Sequence, residues 1–162
     1  EFSGVVPPIV FIARFLLFSL IQDCEGTYMA FRPLSRMLAC NVFVSEGRNQ
    51  RILSDLKEII QRHSRGPAGP RLVFQFTDKP YNRTNFLLAA EAERETDSRA
   101  SPLSSAVFDV VSHALQHLDL SRHEASHPRI GVVDHISVHP LGDASLVEAM
   151  ATAQKIGKTL GT

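Results

Sequence analysis

From Met37 onward, short runs of strand formers alternate with apolar stripes at helical spacing, and that alternation confines the chain to a layered α/β or α+β fold. Residues 37–45, MLACNVFVS, read as a strand, and Glu46-Gly47-Arg48 turns the chain. Ile52, Leu53, Leu56, Ile59 and Ile60 then form one stripe of a helix over 49–63, which ends before Gly66 and Pro67. RLVFQFTD (71–78) is a second strand, followed by the polar loop from Lys79 to Arg83. TNFLLAAEA (84–92) reads as a third strand, although its Leu-Ala run also suits a helix.

A charged segment, 93–100, leads to Ser101-Pro102, a hydroxyl cap followed by a proline where no amide donor is needed. Leu103, Val107, Val110, Val111, Ala114 and Leu118 form the buried stripe of that helix. After the polar run 121–129, residues 130–141 form a fourth strand, and Asp143 or Ser145 caps a last helix facing inward with Leu146, Met150, Ala153 and Leu160. The order β-α-β-β-α-β-α predicts helices laid on a mixed sheet of about four strands.

Residues 1–36 do not share this pattern and are set apart from a domain at 37–162. The stretch 5–22, VVPPIVFIARFLLFSLIQ, is long enough for a membrane anchor but carries Pro7, Pro8 and a central Arg14. Three readings stay open for this leader: a segment outside the fold, a membrane anchor, and a helix docked on the domain.

Charge and cysteine content narrow the function classes. Lys plus Arg and Asp plus Glu both number 17, so the chain lacks the basic excess that phosphate contacts demand of a general nucleic-acid binder. Cys24 and Cys40 make neither a disulfide framework nor a Cys-x-x-Cys site, which points to a reducing, cytoplasmic setting. No Gly-x-Gly-x-x-Gly occurs, so nucleotide binding has no support.

The densest set of chemistry-bearing residues is the loop Ser121–Arg129, with two His, two Arg and one Glu. Pro128 restrains His127 to extended backbone. A neutral imidazole there could take a proton from an attacking amine, and Arg129 could grip a carboxylate. The competing reading is a solvated loop. Asp134 alternates in phase with Ile136 and Val138, so it either needs a partner on an apolar face or reaches water at a frayed strand end. Asn82-Arg83-Thr84 supplies an amide, a guanidinium and a hydroxyl, or simply turn chemistry. His113 and His117, one helical turn apart, lack a third ligand and read as a solvated helix face rather than a metal site. His135 and His139 read as exposed on a half-wet sheet.

Ser45-Glu46-Gly47-Arg48-Asn49-Gln50, Asn82-Arg83-Thr84, Leu118-Asp119-Leu120-Ser121-Arg122-His123 and His127-Pro128-Arg129-Ile130-Gly131 with Asp134 together resemble the N-terminal subdomain of the formimidoyltransferases, over about Met37 to Thr162. The resemblance implies a mixed sheet with helices on one outer face. It also implies transfer of a formimino group from formiminoglutamate to a ring nitrogen of tetrahydrofolate, here a co-substrate, with no metal. His127 falls on the family's catalytic His. Asp134 matches an Asp of the same block, and Asp78, Asn82, Arg83 and Thr84 match the polar loop lining the site. Arg83 and Arg129 would anchor substrate carboxylates.

Three local departures stand out: Ser126 replaces a usually acidic residue, Val42 stands in a run that normally holds Pro-Asn, and the polar loop is shorter. The family's subdomain is expected to continue past the last helix with further strands and a Gly-rich loop, and a second subdomain forms the other wall of the folate tunnel. A folate-binding or protein-interaction module without turnover, pairing with another chain through an open sheet edge, is the alternative expectation.

Overall fold

The computed structural model describes residues 36–66, 68–93 and 101–161. The apolar leader up to residue 35, and most of the charged 93–100 segment, lie outside the described residues. Four strands, β1 (Arg36–Val44), β2 (Arg71–Asp78), β3 (Arg83–Glu91) and β4 (Val133–Gly142), form one sheet in the order β2-β3-β1-β4. Helices α1 (Gln50–His63), α2 (Pro102–His117) and α3 (Leu146–Leu160) and a short 3-10 turn at Leu120–Arg122 complete the chain order.

The four strands and the helices on one face are as expected, but the sheet is antiparallel throughout rather than mixed. Each helical crossover returns its strand two places away, and the strand lying between runs the opposite way. The result is a double split β-α-β arrangement.

The helix-covered face carries the core. Cys40, Val42, Val44, Phe86 and Leu88 from the central strands meet Leu53, Leu56 and Ile60 of α1, Val107, Val110 and Ala114 of α2, and Ile156 of α3. Each fully buried side chain of this size contributes about 1.5–3 kcal/mol. Alternation on β3 settles its type: Thr84, Phe86, Leu88 and Ala90 are buried while Arg83, Asn85, Leu87 and Ala89 are only partly so, the period of a strand and not of a helix. Caps delimit the helices. Asn49 accepts the N–H groups of Arg51 and Ile52 at α1, Ser101 accepts that of Ser104 ahead of Pro102 at α2, and Ser145 and Glu148 form a reciprocal capping box at α3.

The buried stripe of α3 differs from expectation. Ala149, Thr152 and Ile156 face inward, whereas Leu146 and Met150 are exposed. Small residues let α3 approach Leu38, Ala92 and Val138 closely, so close packing, rather than side-chain size, selects the face. Among the described residues no helix is long and apolar enough to cross a membrane.

Candidate functional site

Two loops meet at one end of the sheet: the β2–β3 loop, Asp78 to Arg83, and the long connection from α2 to β4. The β2–β3 turn is held by Asp78, whose Oδ1 accepts the N–H of Tyr81 at 2.9 Å, and by Asn82, whose backbone takes a positive φ of 48°. Asparagine tolerates that left-handed geometry better than most side chains. The Asn82 side chain is buried and engaged at both its oxygen and its nitrogen. Its Oδ1 accepts the N–H of Gly47 at 2.8 Å, and its Nδ2 donates to the carbonyl of Glu124 at 3.2 Å. Gly47 is required at this crossing, because a Cβ there would stand 3.0 Å from both Arg83 N and Asp78 O.

Thr84, also fully buried, donates to the carbonyl of Glu46 at 2.7 Å and meets Thr77 Oγ1 at 3.0 Å. Asn82 and Thr84 therefore organise the β1–α1 turn rather than present free groups to a ligand. That turn is closed by Glu46, whose Oε1 accepts the N–H groups of Gly47, Arg48 and Asn49 at 2.9, 2.7 and 2.9 Å. The Ser-Glu-Gly-Arg-Asn block thus forms a nest of backbone donors filled by its own carboxylate.

The α2–β4 connection is stitched across this turn. Ser126 N and Oγ both donate to the carbonyl of Pro80, at 3.2 and 3.0 Å. His127 is half-buried and stacks on Tyr81, with ring centroids 4.7 Å apart and planes at 29°. Its Nδ1 lies 2.7 Å from the carbonyl oxygen of Pro128. A carbonyl only accepts, so Nδ1 carries a hydrogen, and it is in the neutral ring that Nε2 keeps its lone pair. Arg129 donates to the carbonyl of His127 at 3.0 Å and lies against the ring of His123. His123 Nε2 in turn donates to the carbonyl of Asn82 at 3.1 Å.

Asp134 resolves its two sequence readings in favour of a partnered, buried carboxylate. Only 7% of its side chain is exposed, and it forms an ion pair with Arg83. Its Oδ1 accepts the N–H of Ile130 at 2.9 Å and that of Gly131 at 3.3 Å. A β-bulge puts Val133 opposite Val44 and His135 opposite Phe43, so Asp134 is the extra residue and turns toward Arg83. Consequently β4 begins at Val133, and Ile130 to Val132 belong to the loop.

A cleft of about 230 Å³ opens between these loops and the start of α1, lined among others by Glu46, Asn49, Asn82, Asp119, Arg122 and His123. Of the catalytic and binding residues that the family resemblance implied, Asn82 lines it, whereas His127, Asp78, Arg83, Thr84, Arg129 and Asp134 stand outside its lining. The Ser121 hydroxyl and N–H hold the Asp119 carboxyl below its usual range. Sequence reasoning left Glu46, Tyr81 and His123 without a role in the site. An aromatic residue inside a polar loop was the available signal for Tyr81, and the Ser-Glu-Gly-Arg-Asn block was the signal for Glu46.

The other histidines separate. His135, stacked on Phe43 with centroids 4.2 Å apart, and His139 are exposed on the helix-free face, as expected. His113 departs from the expected solvated position. Its Nε2 is buried 3.8 Å from Asp55 of α1, and its ring stacks on His117. The α1–α2 contact covers that side of α2. Among the described residues no group of three or more His, Cys, Asp or Glu side chains converges as a metal site.

Comparison with known proteins gives a consistent result. A formiminotransferase-like protein of Arabidopsis thaliana, described as formiminotransferase cyclodeaminase-like, is 34% identical over 130 residues, covering 80% of this chain and 41% of that protein. A glutamate formimidoyltransferase of Streptococcus pyogenes is 24% identical over 132 residues, 79% of this chain and 40% of the relative. The formimidoyltransferase-cyclodeaminase of Sus scrofa is 25% identical over 135 residues, 78% of this chain and 21% of the relative. The chain thus spans about two fifths of the first two relatives. The family model for the formiminotransferase domain, N-terminal subdomain, matches residues 37–162, and the chain belongs to that family.

Proposed function

We propose that this formimidoyltransferase-related domain serves folate-dependent formimino transfer, with His127 as general acid and base. The observation that carries the reading is the His127 tautomer: Nδ1–H is committed to the Pro128 carbonyl at 2.7 Å, leaving Nε2 as an available base. In the proposed reaction a ring nitrogen of tetrahydrofolate attacks the formimino carbon. Nε2 takes the proton from that nitrogen as the new C–N bond forms. It then returns the proton to the glutamate nitrogen as the old C–N bond breaks.

Both substrates are carboxylates, and Arg129 and Arg83 are the anchors we assign. Arg83 already pairs with Asp134, but a guanidinium has five donors and can hold a second carboxylate. Asp78, Asn82 and Thr84 are assigned supporting roles in shaping the turn beneath Tyr81 and His127. Cytoplasmic folate metabolism is the setting this chemistry fits.

The test is formimino transfer from formiminoglutamate to tetrahydrofolate by the purified chain. His127→Ala should lower the rate by about 10²–10⁴-fold. The departure at Ser126 favours a second reading, folate binding without turnover. Calorimetry with a folate polyglutamate separates the two. Binding without transfer supports the second reading, and absence of both removes the folate assignment.

A further inference from the structure

We propose that Tyr81 is a positioning residue for His127: its ring is the platform that fixes the imidazole on the scaffold and gives Nε2 one direction. The proposal deepens the reading of His127 as the base and rests on it.

Among the described residues two contacts hold the imidazole. Its Nδ1–H donates to the carbonyl of Pro128 at 2.7 Å. That acceptor belongs to the next residue, so the bond moves with the loop that carries both. The second contact reaches across to the β2–β3 turn, where the ring stacks on Tyr81 with centroids 4.7 Å apart and planes at 29°. His127 itself lies outside every helix and strand. The stack is therefore what refers its orientation to the sheet.

Tyr81 can serve as that reference because its backbone is anchored on both sides. The carbonyl of Pro80 accepts from Ser126 N and Oγ, at 3.2 and 3.0 Å, which ties the turn to the residue just before His127. Asn82 is buried and bonded to the Gly47 N–H and the Glu124 carbonyl, which ties the turn to the start of α1. The Tyr81 N–H donates to Asp78 Oδ1 at 2.9 Å, at the end of β2. The Tyr81 ring is 42% exposed and belongs to neither buried cluster of the core. Core packing thus gives no reason for an aromatic side chain here, whereas the imidazole does. Near-parallel rings at this spacing attract and restrict one another's rotation. A base held in one orientation meets its proton in reactive geometry more often, which raises turnover rather than substrate affinity.

The experiment compares the whole chain with Tyr81→Phe and Tyr81→Ala. The first readout is the NMR spectrum of the His127 ring, assigned by its loss in His127→Ala. A stacked imidazole has its C–H resonances moved upfield by the phenol ring current. That shift is expected in the wild type, kept in Tyr81→Phe, where the ring face is preserved, and lost in Tyr81→Ala. The second readout is formimino transfer from formiminoglutamate to tetrahydrofolate. Tyr81→Ala should lower kcat about two- to tenfold, the worth of one aromatic pair, with KM little changed and with rescue by Tyr81→Phe. Far-ultraviolet circular dichroism and the urea midpoint check that each variant keeps the fold.

His127 resonances that do not move in Tyr81→Ala overturn the proposal, because the rings would then not be in contact. Resonances that move while kcat stays the same overturn it as well, because the stack would then serve structure alone. A wild-type chain without transfer would strike down the reading of His127 as the base, and the resonances would still decide whether Tyr81 holds the ring, so the two failures are distinguishable.

Discussion

The carboxylate of Asp134 pairs with the guanidinium of Arg83 across the end of the sheet, and it accepts the backbone N–H groups of Ile130 and Gly131 as well. One buried carboxylate thus ties the first residue of β3 to the loop that carries His127. Asp134→Ala leaves the guanidinium and two N–H groups without that acceptor. We expect a loss of about 3 kcal/mol, the low end for breaking a buried pair, because Arg83 retains some contact with water. The urea midpoint should fall with an unchanged slope.

Asn82 tests how the two loops are held. Asn82→Ala removes the hydrogen bonds to Gly47 and Glu124 and leaves a β-carbon at a φ of 48°. The expected cost is about 2–4 kcal/mol, from unsatisfied buried groups plus left-handed strain. Asn82→Gly relieves the strain alone and should be less destabilised than the alanine variant. Equal losses in the two variants would show that φ at this position is not a constraint.

His113 makes stability depend on acidity. Burial against α1, then the His117 ring beside it and Arg62 nearby, hold its pKa below the ordinary 6.5, with Asp55 opposing them. The unfolded chain therefore binds this proton first. Its contribution is complete above pH 6.5 and declines as pH falls from there toward the lowered native value. Urea midpoints measured between neutral and mildly acid pH should fall, and should fall less in His113→Asn.

Cys40 lies at the centre of β1, fully buried, and burial pushes its thiol up to about 12. The thiolate is the reactive form, so alkylation of Cys40 should proceed only through unfolding. Mass mapping of the modified cysteine at increasing urea checks this. Modification of Cys40 at the same rate with and without denaturant would contradict the burial.

Element type was legible wherever the pattern was local. The helical stripes of α1 and α2, the Ser101-Pro102 start and the strand runs all appear in the structure, because periodicity and capping act within a few residues. The direction of the strands was not local. It follows from each crossover skipping one strand, which no window of sequence contains. The inward face of α3 was misjudged at Leu146 and Met150, since Ala149 and Thr152 win by allowing a closer approach to β4.

The candidate site divides in the same way. The residue types in the His-Pro-Arg and Asn-Arg-Thr blocks, and the restraint of Pro128 on His127, were readable from neighbouring residues alone. Which groups remain free was not. Arg83 is engaged by Asp134 from a strand tens of residues away, Asn82 and Thr84 are used up holding the Glu46 turn, and Tyr81 lies against His127. Sequence determines the chemical repertoire and the short-range conformations, because both depend on covalent neighbours. Tertiary structure decides which hydrogen-bonding groups are satisfied internally and which are left for a ligand, because that depends on contacts between segments far apart in the chain.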